Sequence, residues 1–324
     1  MGLGRNGTCM ATHETISLSD PESGTSAQVI PGLGFNCVQF RANDACGNLE
    51  VLWSEPGFTA GARRASGSGI PLLFPFPGRI AGTVLHWDGK DYVLDAGDGQ
   101  GNAIHGFVHE RSWRVLRRET SLVVGQFHAS RDDAAILEKW PADFRITATY
   151  EVGDNRLSLT ILLENPDDRE LPCGFGAHPY FRVPLGGVAA EKCRVRLPVA
   201  SSWELVDMNA TGRLLPLEDA ARYQRGQEFG SMRYDNVFSG LVFSGAECCA
   251  SIEDPESGRR VVLSFDRAFR ECVVYTPPHR GAICIEPYTC VPDAFRLTRQ
   301  GIDAGLRVLG LGESFAARLE ISVL

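Results

Sequence analysis

One histidine lies in a segment that suits chemistry better than core packing. His178 belongs to residues 174–181 (GFGAHPYF), where glycines and a proline fix an irregular backbone around one titratable ring and two aromatic rings. A pyranose offers an apolar face that stacks on aromatic rings and a rim of hydroxyls that form hydrogen bonds, so this segment suits a sugar site. A structural histidine beside a turn explains the same residues equally well, and both interpretations stay open.

Two carboxylates stand out among the 40 Asp and Glu residues. Glu286 ends an apolar run at residues 281–289 (GAICIEPYT), where burial of a carboxylate is costly unless it has a partner or a task. Asp235 lies between turn-forming and apolar residues at 234–238 (YDNVF). On the residues alone, an Asx turn or a cap is the better explanation of Asp235.

Two further residues have side chains that could contact a ligand. His105 lies in residues 102–107 (NAIHGF), where Gly106 would let a ligand approach the backbone. Arg79 ends the rigid segment 74–80 (FPFPGRI), and a fixed guanidinium suits recognition of hydroxyls or carboxylates. A surface salt bridge is an equally good explanation of Arg79.

A metal site is the weakest of these possibilities. His109 follows His105 by four positions and Glu110 is adjacent, which on a helix would resemble a zinc site. Gly106 and the strand-like neighbours argue against a helix here, so we expect no metal site. The ten cysteines form no CxxC pair, and we expect buried free thiols.

The secondary-structure elements that must position these residues are predicted to be strands. Asp88-Gly89 predicts a type I′ turn in a hairpin over residues 83–94, and a second hairpin is predicted over 146–163. The best helix candidate is short, at 132–140. Frequent strands with turns between them and no alternating helices predict an all-β fold, a large antiparallel β-sandwich. We expect residues 1–25 to be a mobile N-terminal arm and residues 26–324 to be a single domain.

Composition narrows the partners. The chain has 324 residues, with 32 Lys and Arg against 40 Asp and Glu and a formal charge of -8, which argues against nucleic acid as a partner. No apolar run reaches the length of about 18 residues that a membrane span needs, so no membrane partner is expected. No signal peptide is visible, and we expect a cytoplasmic protein. The sequence does not give the oligomeric state, and we expect a monomer or a homodimer.

Taken in order, these segments resemble the aldose 1-epimerase (mutarotase) family. The resemblance covers roughly residues 30–324, and it is specific as an ordered set, although each segment alone is modest. The matching segments are GRI at 78–80, the Asp88-Gly89 hairpin with Tyr92, NAIHG at 102–106, GAHPYF at 176–181, YDNVF at 234–238, Ile285-Glu286, and PDAF at 292–295.

The resemblance implies a fold, an activity and a role for each residue. The family fold is a large antiparallel β-sandwich called a supersandwich, and its members interconvert the α and β anomers of free aldoses without a metal or cofactor. Matched by position, Glu286 is the general base and His178 the general acid, each near its ordinary pKa. Arg79, His105 and Asp235 would contact sugar hydroxyls. Composition adds Tyr180, with Phe181, as an apolar wall.

Two departures from the family pattern bear on the substrate. Residues 287–289 read PYT, where familiar galactose mutarotases carry Thr-Gln after the glutamate. Residues 67–71 (GSGIP) and 105–109 (HGFVH) lack two arginines of the related hexose-6-phosphate epimerases, although Arg111 lies close. An unphosphorylated aldose is therefore favoured over a sugar phosphate.

Two other classes of protein stay open. A noncatalytic sugar-binding protein of this fold would need Arg79 and His105 but not the acid/base pair, and this chain has both members of the pair. A glycosidase would use two carboxylates, and Glu286 with Asp235 could be imagined in that role.

Overall fold

Strands form nearly all of the regular structure in the computed structural model, which describes residues 13–60 and 64–324. Within those residues there are 28 strands, three short α-helices and several short 3₁₀ turns. The helices are α1 (Ala129–Asp132), α2 (Ala220–Arg225) and α3 (Ala294–Arg299). The strands in chain order are β1 (Ile16–Asp20), β2 (Thr25–Ile30), β3 (Asn36–Asp44), β4 (Gly47–Glu50), β5 (Leu72–Leu73), β6 (Arg79–Ile80), β7 (Val84–Trp87), β8 (Lys90–Val93), β9 (Ala103–Ile104), β10 (Arg114–Arg118), β11 (Leu122–His128), β12 (Arg145–Gly153), β13 (Arg156–Glu164), β14 (Leu171–Cys173), β15 (Gly176–Ala177), β16 (Tyr180–Arg182), β17 (Arg194–Arg196), β18 (Ser201–Val206), β19 (Asn209–Pro216), β20 (Gln227–Glu228), β21 (Asp235–Ser239), β22 (Phe243–Ser244), β23 (Glu247–Glu253), β24 (Arg260–Phe265), β25 (Glu271–Tyr275), β26 (Ala282–Tyr288), β27 (Arg307–Leu309) and β28 (Ser314–Val323).

Two large antiparallel sheets dominate the topology. The first has ten strands in the order β10-β11-β12-β13-β28-β24-β23-β17-β20, with β22 paired to β23. The second has eight strands in the order β19-β18-β21-β25-β26-β15-β5, with β16 paired to β26. A four-stranded sheet of β1 to β4 and three two-stranded pairs, β14-β27, β6-β9 and β7-β8, complete the described chain.

The main hydrophobic core joins the two large sheets. Leu159 and Ile161 on β13 belong to the same buried cluster as Ile283 and Ile285 on β26. Successive side chains of a strand point to opposite faces, so β26 directs Glu286 away from this core, to the outer face of the eight-stranded sheet. The structure thus confirms the predicted all-β antiparallel sandwich, and the fold places a carboxylate on a buried central strand.

Both predicted hairpins are confirmed. Asp88 and Gly89 have φ values of 46° and 72° between β7 and β8, the left-handed conformations that a type I′ turn requires. Asp154 and Asn155, with φ values of 50° and 59°, connect β12 to β13 in the same way.

The predicted N-terminal arm is wrong over its second half. Ile16–Asp20 pairs with Thr25–Ile30 along its whole length. Ile16 and Leu18 are buried, because alternation in this short polar segment places both apolar side chains on one face. Residues 1–12 of the predicted arm lie outside the described residues.

The predicted helix at 132–140 is also wrong. Ala129–Asp132 forms a single helical turn, and Ala134–Glu138 forms a 3₁₀ helix after it. Asp133 separates the two with an extended φ of -157°, which no continuous helix allows. The segment buries Ile136 and Trp140 against the core without the regular helix that its composition suggested.

Nine cysteines in the described part of the chain are free, and seven of them are buried as expected, whereas Cys46 and Cys249 are exposed. Cys9 lies outside the described residues. No helix among residues 13–60 and 64–324 is long and apolar enough to cross a membrane.

Candidate active site

The outer face of the eight-stranded sheet carries a cavity of about 380 Å³, which we call the site cavity. Its size falls within the range of small-molecule sites. The structure brings together the six residues that the sequence analysis named as the acid/base pair, the contacts to sugar hydroxyls and the aromatic residue Tyr180. Each of these residues lines the site cavity: Arg79, His105, His178, Tyr180, Asp235 and Glu286.

His178 and Glu286 form a close pair on the cavity wall. The Nε2 atom of His178 lies 3.3 Å from Oε1 of Glu286, and their side chains are only 8% and 2% exposed. His178 follows β15, and its backbone amide donates to the carbonyl of Pro71 at 3.0 Å. Glu286 is fixed by the central position of β26 between β25 and β16. The pair can exchange protons with a bound molecule that enters the cavity.

Tyr288 completes the surroundings of the carboxylate. Its hydroxyl donates to Oε2 of Glu286 at 2.7 Å, and both side chains are buried. The two residues are two positions apart on β26 and therefore share a face. Tyr288 stands where the sequence departs from the Thr-Gln pattern, so the departure places a phenol beside the carboxylate.

Burial shifts both members of the pair toward their neutral forms. It lowers the pKa of His178 to about 3. It raises the pKa of Glu286 well above its ordinary range, against the opposing hydrogen bond from Tyr288. The ordinary pKa values that the sequence analysis attached to these two groups are therefore wrong for the folded protein.

His105 reaches the cavity through a strained turn. It has a φ of 68°, and Gly106, with a φ of 67°, forms a parallel bridge with Phe74. A Cβ atom on Gly106 would lie 2.1 Å from the Phe74 carbonyl oxygen, so only glycine fits. The His105 ring centre lies 5.7 Å from that of His178. Burial, and then its two histidine neighbours, hold the pKa of His105 well below the ordinary value.

A buried carboxylate that sequence reasoning missed holds Arg79 in place. The Nε of Arg79 lies 3.1 Å from Oδ2 of Asp98, whose side chain is only 1% exposed. Burial alone would raise the pKa of Asp98, but hydrogen bonds led by those from Asn102 lower it overall. The glycine-rich context of Asp98 gave no sign of this role, because the β6–β9 pairing creates it.

Asp235 begins β21 opposite Tyr275 and lines the site cavity. Although the residue is exposed overall, desolvation raises the pKa of its carboxyl against the opposing charge of Arg79. This position places the carboxylate beside the other cavity groups, where it can accept hydrogen bonds from a ligand.

Aromatic rings form one side of the cavity. The rings of Tyr180 and His178 stack at 4.8 Å, and the Tyr180 hydroxyl donates to the Ser66 carbonyl at 3.0 Å. The ring centre of Trp53 lies 5.9 Å from that of Tyr180, and Trp53 also lines the cavity. Phe181 follows Tyr180 on the same strand, and successive side chains of a strand point to opposite faces. Its ring therefore packs in the core, and the prediction that it forms part of the cavity wall is wrong.

Sequence reasoning also missed Trp53 and its partner His279. Their rings stack at 4.2 Å on the cavity wall. A tryptophan at the end of the apolar run at residues 49–53 (LEVLW) was the available signal for this contact. His279, after two prolines, had no such signal.

Two sets of side chains bear on metal binding. His109 lies in a 3₁₀ turn, Val108–Glu110, and is outside the site cavity, so it does not form the helical pair with His105 that the sequence analysis set aside. His178, Cys284 and Glu286 instead offer ligand atoms within 4.8 Å of one another.

Comparisons with solved structures agree on the fold. A galactose mutarotase-like protein from Clostridium acetobutylicum superposes with a TM-score of 0.86 at 23% identity, covering 96% of this chain and 95% of that one. A GalM/aldose epimerase homologue from C. elegans gives a TM-score of 0.79 at 18% identity, covering 96% and 99%. At sequence identities this low, the superpositions establish the fold alone, which is that of the galactose mutarotase-like proteins.

Comparisons of sequence identify the family to which the chain belongs. The chain is 22% identical over 312 residues to the uncharacterized protein YphB of Escherichia coli K12, covering 90% of this chain and 97% of YphB. It is 24% identical over 237 residues to the uncharacterized protein YihR of the same organism, covering 72% of each. The family model for aldose 1-epimerase matches residues 14–322. With nearly its whole length matched, and with a paired histidine and glutamate in its cavity, this chain belongs to the aldose 1-epimerase family.

Proposed function

We propose that this protein is an aldose 1-epimerase that interconverts the α and β anomers of a free, unphosphorylated aldose. The observation that carries the proposal is the 3.3 Å contact between Nε2 of His178 and Oε1 of Glu286 at the wall of a sugar-sized cavity. Ring opening needs one proton removed and another delivered in the same event. A close acid/base pair supplies both.

The reaction follows from these two groups. Glu286 takes the proton from the C1 hydroxyl as His178 delivers a proton to the ring oxygen, and the bond between C1 and the ring oxygen breaks. The product is the open-chain aldehyde. After rotation about the C1–C2 bond, the ring oxygen attacks the other face of C1. His178 then recovers its proton, and Glu286 returns one to the new C1 hydroxyl.

This series of proton transfers needs His178 and Glu286 to hold one proton between them at the start. Burial lowers the pKa of His178 and raises that of Glu286, so the states of the pair with two protons or with none, each of which carries a net charge, are disfavoured. Moving the single proton from Glu286 to His178 leaves the total charge unchanged. The Tyr288 hydroxyl and the charge of Arg79 favour the carboxylate form of Glu286, which is the form that accepts the substrate proton, whereas burial and the charge of Asp235 oppose it.

The remaining cavity residues suit a polyhydroxylated ring. Arg79 can donate to sugar hydroxyls, Asp235 can accept from them, and His105 can do either. Tyr180 offers an aromatic surface to the apolar face of the sugar. We assign these four residues to substrate binding and orientation.

A sugar phosphate is the second candidate, supported by Arg64. This exposed residue lines the site cavity and donates a long hydrogen bond, 3.4 Å, to the Gly97 carbonyl. Arg111, the arginine that the sequence analysis noted, has its Nε atom 2.7 Å from Oδ2 of Asp133 and lines a different cavity. Of these two arginines, Arg64 is therefore the one placed to contact a phosphate in the site cavity.

Measurements of mutarotation, glucoside hydrolysis and sugar binding separate the candidates. The optical rotation of freshly dissolved α-D-glucose, α-D-galactose and α-D-glucose 6-phosphate is followed with and without the protein, and a methyl glucoside is tested for hydrolysis. We expect faster mutarotation of a free aldose and no hydrolysis. Acceleration of the phosphate alone would favour the second candidate, and glucoside hydrolysis would indicate a glycosidase. Saturable sugar binding without acceleration would indicate a noncatalytic binding protein.

A further inference from the structure

A nitrogen, a sulfur and an oxygen donor lie close together behind the site cavity. His178, Cys284 and Glu286 are all buried, and each offers one ligand atom within 4.8 Å of the other two. Cys284 and Glu286 are two positions apart on β26, so they share a face. Tyr180 pairs with Cys284 across to β16, which brings the neighbouring His178 to the same place.

The arrangement matches the donor set and spacing of a zinc site. Zinc binds histidine nitrogen, cysteine sulfur and carboxylate oxygen at about 2.0 to 2.3 Å in tetrahedral geometry, which separates neighbouring ligand atoms by about 3.3 to 3.6 Å. The 3.3 Å between His178 Nε2 and Glu286 Oε1 already has this value. Cys284 completes the set by a shift of about 1 Å, within reach of a side-chain rotation.

The charges also balance. A carboxylate and a thiolate together neutralise a divalent cation, which suits a buried position. The Cys284 thiol gives up its proton to water as the sulfur–metal bond forms. His178 and Glu286 line the site cavity, so the fourth coordination position is left for water from that side.

We propose that His178, Cys284 and Glu286 form an inhibitory binding site for Zn²⁺. The metal occupies the nitrogen and oxygen atoms that the proposed reaction uses for proton transfer, so the loaded protein is inactive. Cys284 has no part in that reaction and serves the metal alone. The inhibition rests on the proposed function, whereas the binding does not.

Binding is tested with Co²⁺, which takes zinc positions and shows a thiolate charge-transfer band in the near ultraviolet. We expect one equivalent to give this band in the wild-type protein and Zn²⁺ to remove it. Cys284→Ser should abolish the band and weaken Zn²⁺ binding at least about tenfold. Cys272→Ser is the matched control, since Cys272 is equally buried on the neighbouring strand but packs in the core.

The control keeps the test decisive. The band and the affinity should be unchanged in Cys272→Ser. A band that persists in Cys284→Ser, or that is equally weak in all three proteins, would mean adventitious binding to other cysteines and would overturn the site.

Inhibition is measured separately. Zn²⁺ should stop mutarotation by the wild-type protein and a chelator should restore it, whereas Cys284→Ser should remain active at the same Zn²⁺ concentration. If the metal-free protein is inactive but gives the normal charge-transfer band when Co²⁺ is added, the proposed function is refuted and the metal site stands. An active protein without the band would refute the site and leave the function intact.

Discussion

The hydroxyl of Tyr288 donates a 2.7 Å hydrogen bond to Oε2 of Glu286, leaving Oε1 of the same carboxylate to face His178. One oxygen is thus held by a neutral donor and the other is available for proton transfer. The phenol stabilises the charged form of Glu286 where burial opposes it. Tyr288 is therefore a positioning residue for the proposed base.

Replacement of Tyr288 by phenylalanine should slow mutarotation. A hydrogen bond to a charged group contributes about 1.5 to 3 kcal/mol, which corresponds to roughly a 10- to 100-fold fall in kcat. The pKa of Glu286 should rise further, so the basic limb of the pH profile should move to higher pH. A normal profile with a lower rate would assign Tyr288 to packing only.

Replacement of Asp98 by asparagine should weaken substrate binding. Arg79 would lose the buried carboxylate 3.1 Å from its Nε and hence its fixed orientation. We expect KM to rise about tenfold with a smaller change in kcat, because the acid/base pair is untouched. Steady-state kinetics separate the two constants. A fall in kcat with an unchanged KM would contradict the assignment of Arg79 to binding.

The pH profile should be broad. With ordinary pKa values, activity would be confined to the interval between about pH 4.3 and pH 6.5, the pKa values of an isolated glutamate and histidine. Burial moves the limits apart, lowering the pKa of His178 to about 3 and raising that of Glu286. A pair with a single proton therefore persists on both sides of that window. We expect kcat/KM at pH 5 and pH 7 to agree within about twofold, and a narrow maximum near pH 5.4 would contradict this account.

A second buried carboxyl should make stability depend on pH. Glu271 is 1% exposed and accepts a 3.0 Å hydrogen bond from Trp203 Nε1. Burial raises its pKa from 4.5 to about 7. Between these values the unfolded chain releases the proton and the folded protein keeps it, so the free energy of unfolding falls as pH rises. The total loss is about 3 kcal/mol and is complete above the folded pKa.

Glu271→Gln removes the titrating group and keeps an acceptor for Trp203. Urea denaturation at pH 5 and pH 8 should show that the variant loses less stability across this interval than the wild-type protein. An equal loss in both proteins would place the titration elsewhere.

Local sequence signals predicted much of the fold. Asp88-Gly89 specified its turn because both positions need positive φ, and the alternation in β12 and β13 specified a half-buried hairpin. The helix at 132–140 was mispredicted because tertiary packing of Ile136 and Trp140 decides that segment. Local propensity is a weak guide where a few buried side chains set the backbone.

The candidate site was predicted in part. Glu286 stood out because a carboxylate in an apolar strand needs an explanation, and the family resemblance supplied its partner His178. Asp98 and Cys284 gave no local signal, since their proximity to Arg79 and to the His178–Glu286 pair arises from strand pairing between distant segments. The shifted pKa values depend on burial in the assembled sheet, which no single segment encodes.

The most direct test of the central claim is polarimetry on the best free aldose with the wild-type protein, Glu286→Gln and Glu271→Gln at matched concentration and pH. Glu271 is a buried carboxyl on the neighbouring strand and does not line the site cavity, so its variant controls for loss of a buried carboxyl group. We predict that Glu286→Gln loses about 10²- to 10⁴-fold in rate while Glu271→Gln keeps the wild-type rate. Equal rates for wild type and Glu286→Gln would contradict the account.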